Sequence, residues 1–217
     1  NAQRELKRFL AEDIGKGDLT SKLLGQKEIT AEIITRQDTI VAGANFAKQI
    51  FSLNGCSVKI VTNDGKKAKA NQSILRIKGK AYSILACERT VLNLLSRMCG
   101  IATNTNHLVS IIKKNKSKSK LFATRKTAPG LRQFDKIAVE IGGGRKHRMS
   151  LDESILIKDN HISVEPLETL IQKAKKTRKK IEVEVENQND AILVAQLGVK
   201  IIMLDNFTPK DIKKTIK

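Results

Sequence analysis

The sequence predicts an α/β protein: a small α+β domain with an antiparallel sheet, followed by parallel strand–helix units. Three observations carry that expectation: short strands of alternating polarity before Lys80, an amphipathic helical stretch from Tyr82, and a repeated strand–helix rhythm after Lys120. The chain has 217 residues, 40% of them hydrophobic and 29% charged, a globular composition. That length holds one large domain or two small ones. It buries ~70% of the unfolded surface, so no disulfide or metal is needed to staple the fold.

Taken in order, Ala2–Ile14 reads as a mixed-charge helix. In Glu28–Arg36, Ile29, Ala31 and Ile33 share one face and Thr30, Glu32 and Ile34 the other, the pattern of a half-buried strand. Thr39–Ala42, Ser57–Thr62 and Ser73–Ile77 are further strands, with Asn63-Asp64-Gly65 a turn between them. Ala44–Leu53 is a short helix stopped at Asn54-Gly55. Ile84, Val91, Leu92, Leu95 and Met98 then recur at helical spacing, with Glu88 interrupting the stripe and Arg89 at its edge. Gly100 is expected to break or cap this helix, and a second helix to cover Thr103–Lys113. Beyond Lys120, four strands are expected at Leu121–Thr124, Ser154–Ile157, Ile181–Val185 and Ile201–Leu204. They alternate with helices near Leu131–Ile141, Glu165–Lys176, Asn189–Leu197 and Lys210–Ile216, which implies a parallel sheet, open or curled into a barrel.

The net charge of +19 first suggests a polyanionic partner such as nucleic acid. However, Lys113–Lys120 holds five Lys and Lys173–Lys180 six Lys or Arg, with no acid in either run, and the rest of the chain carries only +8. Both runs fall at expected helix ends, where cations suit the helix dipole and face water. Aromatic residues are 3% with no Trp, so stacking platforms for bases are scarce. A basic nucleic-acid-binding module stays as the alternative from another class. No run of ~18 apolar residues is present, which excludes a spanning helix. Cys56, Cys87 and Cys99 follow no ligand or pairing pattern and point to a reducing, cytoplasmic compartment. Asn1 stands where an initiator Met would, so the first residues of the natural chain are expected to be missing.

In parallel α/β sheets, chemistry belongs at the carboxyl ends of the strands. There the sequence places Thr124-Arg125-Lys126, Lys158-Asp159-Asn160-His161, Glu184-Val185-Glu186 and Asp205-Asn206. Arg145, Lys146, His147 and Arg148 follow a Gly142-Gly143-Gly144 segment. Such cations suit a small polyanion, because Arg meets carboxylate or phosphate with a planar fork and Lys with a point charge. Glu184 and Asp205 end consecutive strands and could hold a hard cation such as Mg²⁺. Glu182 and Glu186 share a strand face with Glu184 by parity. Gly142–Gly144 either ends a helix or cradles phosphate, and His147 and His161 are either loop histidines or site residues. Glu88 and Arg89 could also be a plain helix-surface pair.

The segments ERTVLNLLSRMCGIAT (Glu88–Thr103), TRKTAPGLRQFDKIAVEIGGGRKHRM (Thr124–Met149), LIKDNHI (Leu156–Ile162), EVEVE (Glu182–Glu186) and IIMLDN (Ile201–Asn206) closely resemble quinolinate phosphoribosyltransferase. EDIGKGDLTS (Glu12–Ser21) fits the same family. The resemblance implies an N-terminal α/β sandwich with dimer-forming helices over residues 1–116, and a partial, open α/β barrel over residues 117–217. It implies phosphoribosyl transfer from phosphoribosyl pyrophosphate to quinolinate with decarboxylation, giving nicotinate mononucleotide, CO₂ and pyrophosphate with Mg²⁺, a step of NAD biosynthesis. By the same resemblance Thr124, Arg125, Lys126, His147, Arg148 and Lys158 bind substrate. Glu184 and Asp205 handle the ribose hydroxyls and Mg²⁺; Lys126, Glu184 and Asp205 are the catalytic set. Arg89 reaches the neighbouring subunit's site in a homodimer. The chain stops at Lys217, before the Ser-Gly-Gly turn that binds the 5′-phosphate in the family. It is therefore expected to be a C-terminally shortened member with low or no activity. A nearer alternative is the pyrophosphorylase-like protein of molybdenum transport; Lys158-Asp159-Asn160-His161 argues for the quinolinate enzyme.

Overall fold

A computed structural model describes residues 2–216. The chain divides into two compact units, residues 1–147 and 148–217. The expected domain division lay at 116/117. Residues 117–147 group with the first unit because the helix they contain packs on that unit's long helix.

The first unit contains α1 (Ala2–Ile14), β1 (Glu28–Ile34), β2 (Thr39–Ile40), α2 (Ala44–Leu53), β3 (Ser57–Ile60), β4 (Lys67–Ala68), β5 (Ser73–Lys80), α3 (Ala81–Lys114) and α4 (Arg132–Ile141). β1, β5 and β3 form an antiparallel sheet in the order β1-β5-β3, and β2 pairs with β4 in a separate ribbon. β1 turns Ile29, Ala31 and Ile33 inward as its alternation requires, against buried Ile74, Leu75 and Ile77 of β5. α2 starts at Gly43, whose φ of 97° suits glycine; a Cβ there would lie 2.8 Å from Met98 Sδ. Gly43 has no side chain to cap the helix, so Asp64 does it from the neighbouring turn. Its carboxylate accepts from Ala44 N at 2.8 Å and from Asn45 Nδ2 at 3.1 Å.

Gly100 does not divide the helical stretch. α3 runs unbroken for 34 residues, because Gly100 faces outward with nothing within 4 Å of its missing Cβ. Cys99, Ala102 and Thr105 meanwhile continue the buried stripe of Ile84, Cys87, Val91, Leu95 and Met98. Burial of each large apolar side chain is worth about 1.5–3 kcal/mol, which outweighs the ~1 kcal/mol that glycine costs in a helix. The expected strand at Leu121–Thr124 is reduced to one parallel bridge between Phe122 and Arg145. Ala123 N donates to Arg145 O and Arg145 N to Leu121 O, each at 2.8 Å, before Thr124 turns the chain.

The second unit is a parallel sheet, β6 (Ile155–Ile157), β7 (Ile181–Val185) and β8 (Ile201–Leu204), in that order. Three strands, not four, are therefore found in the parallel sheet, and no closed barrel forms among the described residues. α5 (Asp159–Ile162), α6 (Leu167–Lys175), α7 (Gln188–Gln196) and α8 (Pro209–Thr215) complete the unit. Ile157, Val183 and Val185 pack with Leu167 and Ile171 of α6 and Ala191 and Val194 of α7. Asn187 and Thr208 cap α7 and α8 by accepting from Asp190 N and Asp211 N.

Candidate active site

In the first unit, a polar turn after Ala123 presents the Arg-Lys pair. Thr124 Oγ1 accepts from Lys126 N at 3.1 Å, and Thr127 N donates to Arg125 O at 2.9 Å. From α4, Arg132 Nε donates to Thr127 Oγ1 at 3.2 Å and so anchors the turn. Lys126 is exposed. Arg125 is half-buried, and its Nε is enclosed without a hydrogen-bond partner. A guanidinium N–H left unanswered in this way is costly, and fits a site that an anionic ligand completes. His147 holds a left-handed backbone (φ 52°), with its ring edge-on to Phe122 at 6.4 Å.

The three glycines end α4. Gly144 N donates to Val139 O and Gly143 N to Glu140 O, both at 2.9 Å, with Gly143 at φ 97°. This is the Schellman termination. Gly142 N also donates into the helix, to Ala138 O, so all three amides are committed and none is left for phosphate. The two outer glycines further allow close approach: a Cβ on Gly142 would lie 2.5 Å from Ala102 O, and one on Gly144 2.6 Å from Val139 Cγ1.

Arg89 is exposed on α3 and lines a groove of about 610 Å³ between β1 and α3, with Glu88, Leu92, Asn93 and Thr35. No residue of the 124–130 turn lines that groove.

In the second unit, register puts the polar residues on one face. Leu156 pairs with Glu182, and Glu184 with Met203, so Lys158, Glu184 and Asp205 all stand on the face opposite Val183 and Val185. Helices α6 and α7 cover the valine face, and the other face carries these polar residues at its carboxyl end beside Leu156, Ile201 and Met203. Lys158 Nζ and Glu184 Oε2 form an ion pair at 2.5 Å, with the Glu184 side chain 12% exposed. Asp205 N donates to Val185 O, and its carboxylate accepts from Asn206 Nδ2 at 3.0 Å. Glu182 is buried lower on the same face, while Glu186 is exposed at the strand end. Arg148 donates to Ser154 O at 2.9 Å. His161 Nδ1 accepts from Lys158 N at 3.0 Å and closes a capping box on α5, so its role here is to cap that helix.

Among the described residues no three His, Cys, Asp or Glu side chains gather to hold a metal by themselves. Two carboxylates on adjacent parallel strands are nevertheless the donor set Mg²⁺ takes when substrate phosphates and water supply the rest. Glu184 and Asp205 fit it in that form.

Sequence reading missed two buried charges in α4. Arg97 of α3 grips Asp135 by a bidentate pair at 2.6 and 2.8 Å, which raises the Arg97 pKa. Lys136 is fully buried, and its Nζ donates to Lys146 O at 2.9 Å. The available signal was a pair of charges beside the stripe of Phe134, Ile137, Ala138 and Ile141.

Known proteins resemble this chain along nearly its whole length. Residues 18–99 match the quinolinate phosphoribosyl transferase N-terminal domain, and residues 101–217 its C-terminal domain. The probable nicotinate-nucleotide pyrophosphorylase [carboxylating] of Archaeoglobus fulgidus is 42% identical over 93% of this chain and 78% of its own length. That of Bacillus subtilis is 38% identical over 98% of this chain and 75% of its own. The solved nicotinate-nucleotide pyrophosphorylase of Francisella tularensis superposes with a TM-score of 0.92 at 39% identity, covering 99% of this chain and 78% of that one.

Proposed function

The chain belongs to the quinolinate phosphoribosyltransferase family, and from that premise we propose how its residues act. It is a pentosyltransferase of NAD biosynthesis, taking quinolinate and phosphoribosyl pyrophosphate to nicotinate mononucleotide, CO₂ and pyrophosphate. The observation that carries the site assignment is the polar face of the second sheet, where Lys158, Glu184 and Asp205 stand on neighbouring strands.

By the family resemblance, Arg125, Lys126, His147, Arg148 and Lys158 take the two quinolinate carboxylates and nearby phosphate, with Thr124 shaping the turn. Holding a dianion by forked and point cations fixes the pyridine nitrogen towards the anomeric carbon. The nitrogen attacks that carbon as pyrophosphate leaves, through an oxocarbenium-like state that the carboxylates of Glu184 and Asp205 stabilise. Bound Mg²⁺ would screen the leaving pyrophosphate from this carboxylate pair. Once alkylated, the positive ring nitrogen stabilises the electron pair left on C2 as CO₂ departs, and C2 then takes a proton from water. Lys126, the exposed cation of its turn, stays beside the charge being redistributed. Arg89 is assigned to the neighbouring subunit's site in a homodimer. In support, it is exposed on a groove that the 124–130 turn does not line. A cytoplasmic location fits the three free cysteines, all buried. Among the described residues no helix is long and apolar enough to cross a membrane.

Calorimetric titration with quinolinate, phthalate and nicotinate tests this reading. Quinolinate binds, phthalate follows because it keeps both carboxylates, and nicotinate binds ~10-fold or more weakly for want of one charged contact. Absence of quinolinate binding, together with salt-sensitive retention on DNA, would instead favour a nucleic-acid-binding protein.

A further inference from the structure

α4 is ten residues long, yet it encloses two charges. Asp135 is answered by Arg97. Lys136 is fully buried and directs its ammonium at a backbone carbonyl, that of Lys146. Lys146 is held by α4 a second time, through its own ammonium on Glu140 at 2.5 Å. The next residue, His147, has φ of 52°, in the left-handed region that residues with a Cβ adopt uncommonly.

We propose that Lys136 is a positioning residue for His147: by holding the Lys146 carbonyl against α4, it fixes the left-handed turn that aims the imidazole. Its consequence for binding rests on the reading of His147 as a quinolinate ligand, whereas the geometric claim does not. Arg132, four residues earlier, anchors the Arg125–Thr127 turn, so one short helix holds both cation-bearing segments of the first unit.

The test uses the full chain, with Lys136→Met, His147→Ala and the double variant. Amide hydrogen exchange reads the turn directly, and quinolinate titration closes a double-mutant cycle. In Lys136→Met, exchange at residues 145–147 rises about tenfold while the β1-β5-β3 sheet stays protected. Quinolinate affinity falls about 5–20-fold, and adding Lys136→Met to His147→Ala costs less than about twofold more. Lys136→Arg, which keeps a donor, recovers most of the affinity. Lys136→Gln replaces Lys136→Met if the latter does not fold. Unchanged exchange at 145–147 overturns the positioning role whatever quinolinate does. Additive losses in the cycle overturn its action through His147. If wild-type chain fails to bind quinolinate, the site reading falls, and the exchange result alone decides the geometry.

Discussion

Replacing glycine by alanine at Gly100 and at Gly142 makes the same chemical change in opposite surroundings. Gly100 sits inside α3 with nothing within 4 Å of where a Cβ would go. Alanine is favoured over glycine in a helix interior by about 0.8–1.0 kcal/mol, so Gly100→Ala stabilises the first unit by about that much. Gly142 also has an ordinary backbone, φ −71°, and alanine there restricts the unfolded chain by about 0.4–1 kcal/mol. Its Cβ, however, would lie 2.5 Å from Ala102 O and 2.6 Å from Thr105 Cβ, in the seam between α4 and α3. A backbone oxygen cannot swing aside, and overpacking of this kind costs about 1–3 kcal/mol, leaving a net loss of about 1–2 kcal/mol. At ~2–4 °C per kcal/mol, thermal unfolding followed by circular dichroism should show Gly100→Ala raised by about 2–4 °C and Gly142→Ala lowered by about 2–8 °C. A stabilising Gly142→Ala refutes the close seam between α4 and α3.

Arg97→Met leaves the Asp135 carboxylate buried without its partner and should cost about 3–5 kcal/mol, whereas Arg97→Met with Asp135→Leu should recover much of that loss; urea titration measures both. Asp64→Ala removes the cap of α2 that Gly43 cannot supply and should cost about 0.5–2 kcal/mol by the same assay. Burial pushes the Cys87 thiol up from 9.0 to about 12. Above pH 9 the unfolded state loses this proton and the native state keeps it, so stability falls by about 1.4 kcal/mol per pH unit up to about pH 12. Cys87→Ser or Cys87→Ala should make that alkaline limb shallower in denaturant midpoints measured from pH 8.5 to 11, with Cys56 and Cys99, whose thiols burial also raises, keeping part of it.

The elements set by simple periodicity were legible in the sequence. α1 and α2 begin and end where their residue patterns place them, and β7 and β8 coincide with their apolar runs. What failed was the weighing of a local signal against packing. Gly100 is a sound helix breaker in isolation, but the buried stripe on both sides of it holds α3 together. Leu121–Thr124 has strand composition, but only Phe122 finds a partner across from it. At the candidate site, residue types and strand-end position singled out Lys158, Glu184 and Asp205, which the structure places on one sheet face. The face they share follows from register, which a single sequence does not state. Lys136 and Asp135 look like ordinary surface charges of an amphipathic helix, and only their tertiary partners show them to be internal. His161 belongs to the same motif as Lys158, yet its nearest use is to cap the helix that begins there.

Transfer coupled to decarboxylation is tested by following the carboxylate itself. Quinolinate labelled in its 2-carboxylate is incubated with the chain, phosphoribosyl pyrophosphate and Mg²⁺, and labelled CO₂ and nucleotide are counted together. Labelled CO₂ and unlabelled nicotinate mononucleotide are expected in equal amounts at whatever rate the chain turns over. Nucleotide that retains the label, or CO₂ released without nucleotide, contradicts that coupling.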